Sequence, residues 1–360
     1  NKRIKLIMAY TTINKSTDYF NTKLYTGNGS TQSITGVGFQ PDFCWFKNRT
    51  SAQSNVVVDS IRGRVGLQPN ESNPQYTLNS GRDFGTFDSD GFTVLNPEQY
   101  NSFNYNTGSI VSWNWLGANG TSANTDGSIN STVSANTTSG FSIVSYTGGG
   151  ASATIGHGLG VAPKMIMIKC RNSTDKWIVY HNSIGNTKYL SLNTADSETT
   201  DSAHFNNTSP TSSVFSVGTS GATSGNGQHF IAYCFAEKTG YSKFGSYTGN
   251  GSSTDGPFIY TGFLPSFVMI KCASASSDWF IWDSKREPNN LKDLDLYPNN
   301  SSAEDTALGS NGPDFLSNGF KFQSSGTTSG EPNVSGASYI YMAFAEAPLV
   351  GSNNVPATAR

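Results

Sequence analysis

Short apolar runs separated by clusters of Gly, Asn, Ser and Thr follow one another along the whole chain. PDFCWFK (41–47), NVVVDS (55–60), PKMIMIK (163–169), WIVYHNS (177–183), PSFVMIK (265–271) and WFIWDS (279–284) are rich in Val, Ile, Phe, Tyr and Trp, and turn residues bound them. That pattern predicts β-strands. GSIVSWNW (108–115), HFIAYCFAE (229–237) and YIYMAFAE (339–346) read as further, alternating strands. No amphipathic stretch of ten or more residues stands between strands, and LKDLDLYP (291–298) offers one helical turn at most. A parallel α/β fold, which needs crossover helices, is therefore disfavoured.

The pattern repeats. LYTGNGS (24–30) returns as SYTGGGA (145–151) and SYTGNGS (246–252), so that Tyr25, Tyr146 and Tyr247 lie 121 and 101 residues apart. Lys47, Lys169 and Lys271 end equivalent strands at spacings of 122 and 102, and Asp59, His181 and Asp283 keep the same spacings. Later landmarks, DSDGFTVLN, SSVFSVG and LSNGFKFQ, hold the same order. The repeat length is that of a domain, not of a solenoid or a propeller blade. The expectation is an all-β chain of three tandem homologous antiparallel β-sandwich modules, jelly-roll or concanavalin-lectin-like, with an immunoglobulin-like sandwich as the alternative.

The boundaries read as an N-terminal arm (1–19), module 1 (20–116), a Gly/Ser/Asn/Thr-rich linker or loop (117–140), module 2 (141–238), module 3 (239–348) and a C-terminal tail (349–360). A domain start at Met8 with a short extension before it is expected. Modules 2 and 3 abut through AEKTGYS (236–242), so they are expected to pack closely while module 1 is free to swing. The Asn-Gly pairs Asn28-Gly29 and Asn250-Gly251 supply the positive φ of a tight hairpin turn, which makes them structural.

Composition narrows the function. Charged residues are 13% and the formal net charge is −2, without a basic patch, so no nucleic-acid partner is expected. No apolar run is long enough to cross a bilayer, so no transmembrane segment or membrane insertion is expected. Cys44, Cys170, Cys234 and Cys272 form no C-x-x-C pair and read as free core thiols. Asn-x-Ser/Thr triplets such as those at Asn28, Asn48, Asn136 and Asn172 arise by chance in a chain this rich in Asn, Ser and Thr.

Candidate chemistry is sparse. Asp88-Ser89-Asp90-Gly91 opens like a calcium loop, but Gln99 stands where the closing Glu belongs and Glu98 falls one short, so a β-turn is the reading. His157, His181, His204 and His229 all lie in module 2 without the spacing of a metal site, so no metal and no cofactor is expected. Glycoside hydrolysis needs two carboxylates across one cleft, for which Asp59, Asp283 and Glu237 are the candidates; Glu237 and Glu346 instead read as equivalent strand ends. There is no G-x-S-x-G elbow and no P-loop, and the expectation is that the protein is not an enzyme. Trp45, Trp113, Trp115, Trp177, Trp279 and Trp282 lie on predicted strands and read mainly as core. If aromatic residues stack on glycan rings, Trp177, Trp279 and Trp282 beside Asp59, His181 and Asp283 are the candidate site.

MAYTTINKSTDYFNTKLYTGNGSTQSITGVGFQPDFCWFKNR, DFGTFDSDGFTVL, SIVSWNWLG and GHGLGVAPKMIMIK resemble virion structural and tail-fibre-like proteins of marine tailed phages, from Met8 to about Pro348. The resemblance implies a non-enzymatic protein on the virion surface, extracellular, with itself and other virion proteins as partners, and cell-surface glycans as a further candidate. It carries no catalytic residues. The alternatives are a free carbohydrate-binding lectin and a capsid decoration or extracellular filament subunit.

Overall fold

The computed structural model describes residues 11–78, 82–97, 101–305, 312–326 and 331–348. Nearly all its regular structure is β, and every ladder between its strands is antiparallel. Among the described residues no helix is long and apolar enough to cross a membrane. The N-terminal extension before Met8 and the C-terminal tail lie outside the described residues.

Three central sheets share one strand order. The first runs Phe20–Thr26, Ser109–Trp115, Phe43–Asn48, Val56–Asp59, and continues to Gly63–Leu67 and Tyr76–Thr77. The second has Phe141–Thr147, His229–Phe235, Met165–Cys170, Ile178–His181 in the same places, and the third has Ser242–Thr248, Ser338–Pro348, Phe263–Cys272, Trp279–Asp283. Each carries a small sheet on its outer face, built on Gln32–Thr35, Ala153–Gly156 and Phe258–Tyr260 respectively.

Antiparallel sheets commonly leave one face wet. Here both faces of each central sheet are covered. Alternate residues of the strand ending in Lys point outward: Cys44 and Phe46, Ile166 and Ile168, Val268 and Ile270 pack under the small sheets in three separate outer cores. The residues between them, Phe43 and Trp45, Met165 and Met167, Phe267 and Met269, enter one common core with Trp113, Trp115, Tyr233, Phe235 and Phe344. Phe20 stands 5.5 Å from the Phe267 ring and 4.9 Å from that of Phe344, and Phe43 stands 4.3 Å from Tyr233. Such aromatic pairs add about 0.5–1.5 kcal/mol each beyond their buried area. The first module is thus locked into the centre, where the sequence suggested a module free to swing.

Two further expectations change. Segment 117–140 is neither linker nor simple loop: Ser122–Asn124 and Ser131–Asn136 add two strands to the outer edge of the second sheet. Val133 is the one fully buried large apolar residue of the segment, with Ile129 and Ala135 partly buried beside the same core, too weak a period-2 signal to see in sequence. The Asn28-Gly29 and Asn250-Gly251 turns are not hairpins. Phe20–Thr26 pairs with Ser109–Trp115, whereas Gln32–Thr35 pairs with Gly91–Val94, so the turn is the corner where the chain leaves a central sheet for its small sheet. Gly29, Gly150 and Gly251 take φ of 67°, 73° and 67° there, the left-handed region that favours glycine. At each corner the repeated Tyr donates its hydroxyl to a backbone carbonyl: Tyr25 to Phe103 (2.6 Å), Tyr146 to Thr223 (2.7 Å) and Tyr247 to Pro332 (2.6 Å). The thrice-written motif is therefore a corner fastening, used once per module.

Candidate functional site

Many of the chemistry-bearing residues that the sequence singled out lie at the seams between the three sheets. The seams are cyclic: module 2 reaches to module 1, module 3 to module 2, and module 1 to module 3.

Each seam starts from the strand-ending lysine. Lys169 Nζ donates to the Ser72 carbonyl at 3.0 Å, Lys271 Nζ to that of Ala195 at 3.2 Å, and Lys47 Nζ to that of Ser301 at 3.0 Å. Each also donates to a carbonyl of its own module, at Asp175, Cys272 and Gln53. All three lysines are buried, and burial pulls their ammonium groups down, Lys47 to about 7 and Lys169 and Lys271 to about 8. Backbone ties run alongside: Asp175 N–H to Ser72 and Gln75 N–H to Arg171, Ser277 N–H to Ala195 and Glu198 N–H to Ala273, and Glu304 N–H to Arg49.

A second tie comes from the next strand. The Trp177 indole donates to the Gln68 carbonyl at 2.9 Å and the Trp279 indole to that of Ser191 at 3.0 Å. In the third seam the equivalent residue is Asn55, whose amide donates to the Tyr297 carbonyl at 2.9 Å and accepts from the Trp45 indole at 3.0 Å.

The third tie joins each module to the next around the ring. Asp59 accepts from the Tyr233 hydroxyl (2.7 Å) and Arg62 Nε (2.5 Å). Asp283 accepts from the Trp113 indole (3.1 Å) and Arg286 Nε (2.7 Å). Both ion pairs are completely buried. His181 fills the remaining place. Its Nδ1 accepts from the Ser183 N–H, so Nε2 carries the proton and donates to the Tyr341 carbonyl, each at 3.2 Å. Burial pulls its imidazole down to about 4, so it is neutral at pH 7. The residue equivalent to Trp113 and Tyr233, by its pairing opposite Met269, is Met342, which has no proton to donate. An acceptor there has no side chain of the next module to accept from, and a donor aimed at that module's backbone takes its place.

The glycan platform expected at Trp177, Trp279, Trp282, Asp59, His181 and Asp283 is therefore overturned. These side chains are spread over the three seams and the third outer core and are at most 1% exposed, where no sugar can reach them. The Trp282 indole donates to Asp295 at 2.8 Å in the third outer core. The carboxylates weighed for hydrolysis do not share a cleft either: Asp59 and Asp283 occupy different seams, and Glu237 pairs with Lys243 at 2.7 Å. Glu346 meets Ser284 and Lys285.

The remaining sequence features fall into local roles. Asp90 accepts from the N–H groups of Gly36 and Gly38, and Asp88 from the hydroxyls of Thr86 and Thr93. Glu98 and Gln99 lie outside the described residues. His157 binds Leu159 and Thr211, His204 stacks on Tyr189, and His229 is exposed beside Thr147. No group of three or more metal-ligating side chains occurs among the described residues. The four cysteines are free and buried. Sequence reading missed Arg62, Arg286 and Tyr233; the available signal was that arginine follows Asp59 and Asp283 by three residues, whereas isoleucine follows His181 by three.

The chain belongs to a family defined by a domain of unknown function, DUF7483, which matches residues 15–348. No curated protein and no solved structure matches it.

Proposed function

We propose that the chain is a non-enzymatic structural protein on the surface of a phage-like particle, a tail fibre or related component. In this reading it is built of three tandem sandwich modules of jelly-roll or concanavalin type and works by presenting rigid outer faces to copies of itself and to other virion proteins. The observation that carries the reading is the use made of the polar groups. The buried lysines, both buried Asp–Arg pairs, His181 and two indoles are all engaged in holding one module to the next. Groups so engaged stabilise a rigid body. The string resemblance to phage structural proteins supplies the setting.

The ring closes within one chain, so the common core offers nothing to a second copy, and self-assembly has to use the outer faces. Sedimentation velocity of the purified chain over a range of concentrations tests this. The expected mass is a multiple of the 38.5 kDa of one chain. A species that stays at 38.5 kDa throughout would overturn self-assembly.

A further inference from the structure

The three modules provide an internal comparison of what the fold requires. In each small sheet a buried isoleucine, Ile34, Ile155 or Ile259, stands opposite a buried phenylalanine, Phe92, Phe215 or Phe320. The residues on either side of that isoleucine face outward. In module 1 they are the exposed Ser33 and Thr35, and in module 2 Thr154, half-buried against Ser128, and Gly156, buried beneath Asn124. In module 3 they are Phe258 and Tyr260, 46% and 59% exposed. Module 1 holds the same sheet with small exposed residues at these places, so packing of the sheet does not demand the aromatic pair.

The surroundings define what the pair can take. The rings sit two residues apart on one strand face, about 7 Å at ~3.4 Å per residue. Tyr260 is paired with Gly319, and Leu316 lies on the far side of that glycine, so the floor between Tyr260 and Leu316 carries no side chain. Phe258 leans over Gly319, its Cε2 2.9 Å from where a Cβ would stand. Phe258 is paired with Lys321, which is paired in turn with Asp314. Lys321 Nζ meets Asp255 at 2.9 Å, and Gln323 donates to Asp314. One ammonium against two carboxylates leaves a local charge of −1, unfavourable for an anionic occupant. The rings together expose about 200 Å², taking ~200 Å² for a whole aromatic side chain. A stable protein interface needs roughly 800 Å² per partner. The site therefore suits a small occupant with apolar faces and hydroxyl edges.

We propose that the outward face of the third small sheet, with Phe258 and Tyr260 as stacking platform and Lys321, Asp255, Asp314 and Gln323 as polar rim, binds the pyranose rings of a neutral polysaccharide. The proposal rests on the reading of the chain as a surface protein, and gives that surface a ligand class.

Affinity electrophoresis of the full chain through gels containing a β-glucan, a galactomannan, an α-glucan or alginate tests it. Retardation by at least one neutral polysaccharide is expected. The double variant Phe258→Ser with Tyr260→Thr, which installs the side chains of Ser33 and Thr35, is expected to lose affinity at least tenfold while its melting temperature stays unchanged. Tyr260→Thr alone serves if Phe258→Ser disturbs the sheet, and is expected to lose most of the retardation. Retardation by none of the neutral polymers, retardation by alginate alone, or equal retardation of wild type and variants at unchanged stability would overturn the site. Those results would leave the structural reading standing, because sedimentation tests it separately.

Discussion

Replacing His181 by aspartate places at the second seam the residue that the other two seams already use. The surroundings are different there. Asp59 has Tyr233 and Arg62 as donors, and Asp283 has Trp113 and Arg286. A carboxylate at 181 would keep the Ser183 N–H as a donor but no side-chain donor, since Met342 and Ile184 hold the places that Tyr233 or Trp113 and an arginine hold in the other seams, and the position is completely buried. Leaving a buried charge without its partner costs about 3–5 kcal/mol. Protonating it instead costs about 1.4 kcal/mol for each unit by which its pKa is raised. The expected loss for His181→Asp at pH 7 is therefore ~3–5 kcal/mol. Adding Ile184→Arg and Met342→Tyr rebuilds the donor set of the Asp59 seam and is expected to recover most of that loss. Urea unfolding followed by tryptophan fluorescence reads both, since all six tryptophans are buried in the native state. The pH response gives a second reading. A buried aspartate raised above its unfolded pKa contributes stability below that pKa and loses it as pH rises, so the single variant becomes more stable from pH 7 towards pH 4. A loss below ~1 kcal/mol for the single variant, or a triple variant no more stable than the single one, would refute the claim that seam partners are matched.

The wild type should show the opposite slope. His181 is depressed from 6.5 to about 4, so its contribution is complete above pH 6.5 and is lost as pH falls towards 4, to the extent of ~3 kcal/mol; His181→Gln, which keeps a donor, should flatten that part of the stability–pH curve. Removing one corner hydroxyl by Tyr25→Phe, Tyr146→Phe or Tyr247→Phe should cost about 1 kcal/mol each, measured by the same unfolding, because each leaves a single carbonyl without its donor. Truncating Phe20 to alanine, at the meeting of the first and third modules, should cost ~3–5 kcal/mol, and a loss under 1 kcal/mol would show that the modules do not share a core. Residues 141–238 expressed alone should fail to show a cooperative melt or dispersed amide resonances, since Trp177, Tyr233 and Phe235 would face water; a sharply folded fragment would contradict the common core.

Much was legible along the chain. Turn-bounded apolar runs identified the strands, and the residues at spacings of 122 and 102 fall at matching places in sheets of the same strand order. Lone cysteines among apolar neighbours read correctly as buried thiols. The corner glycines were recognised as structural, though their turn was assigned to a hairpin. A local Asn-Gly pair specifies positive φ, not which strands lie on either side of it. Segment 117–140 was missed because an edge strand anchored by Val133 needs little hydrophobicity. The tryptophans read mainly as core and are buried, whereas the candidate glycan platform at Trp177 and Trp279 failed, because an indole followed by apolar residues looks the same whether a sugar or another module covers it.

What the sequence determined by itself is local and periodic: strand positions, recurring spacings and the corner motifs. It also held a clue to the architecture, since runs such as MIMIK and FVMIK lack the alternation of a sheet with one wet face. Only the tertiary structure decided what covers the second face, because a continuous apolar run does not name its neighbour. The same holds for the seams. Asp59 meets Tyr233 across 174 positions and Asp283 meets Trp113 across 170, and no sequence period links such pairs. Whether position 181 requires an acceptor or a donor depends on the side chain that the fold brings opposite it, and that is set by closure of the ring.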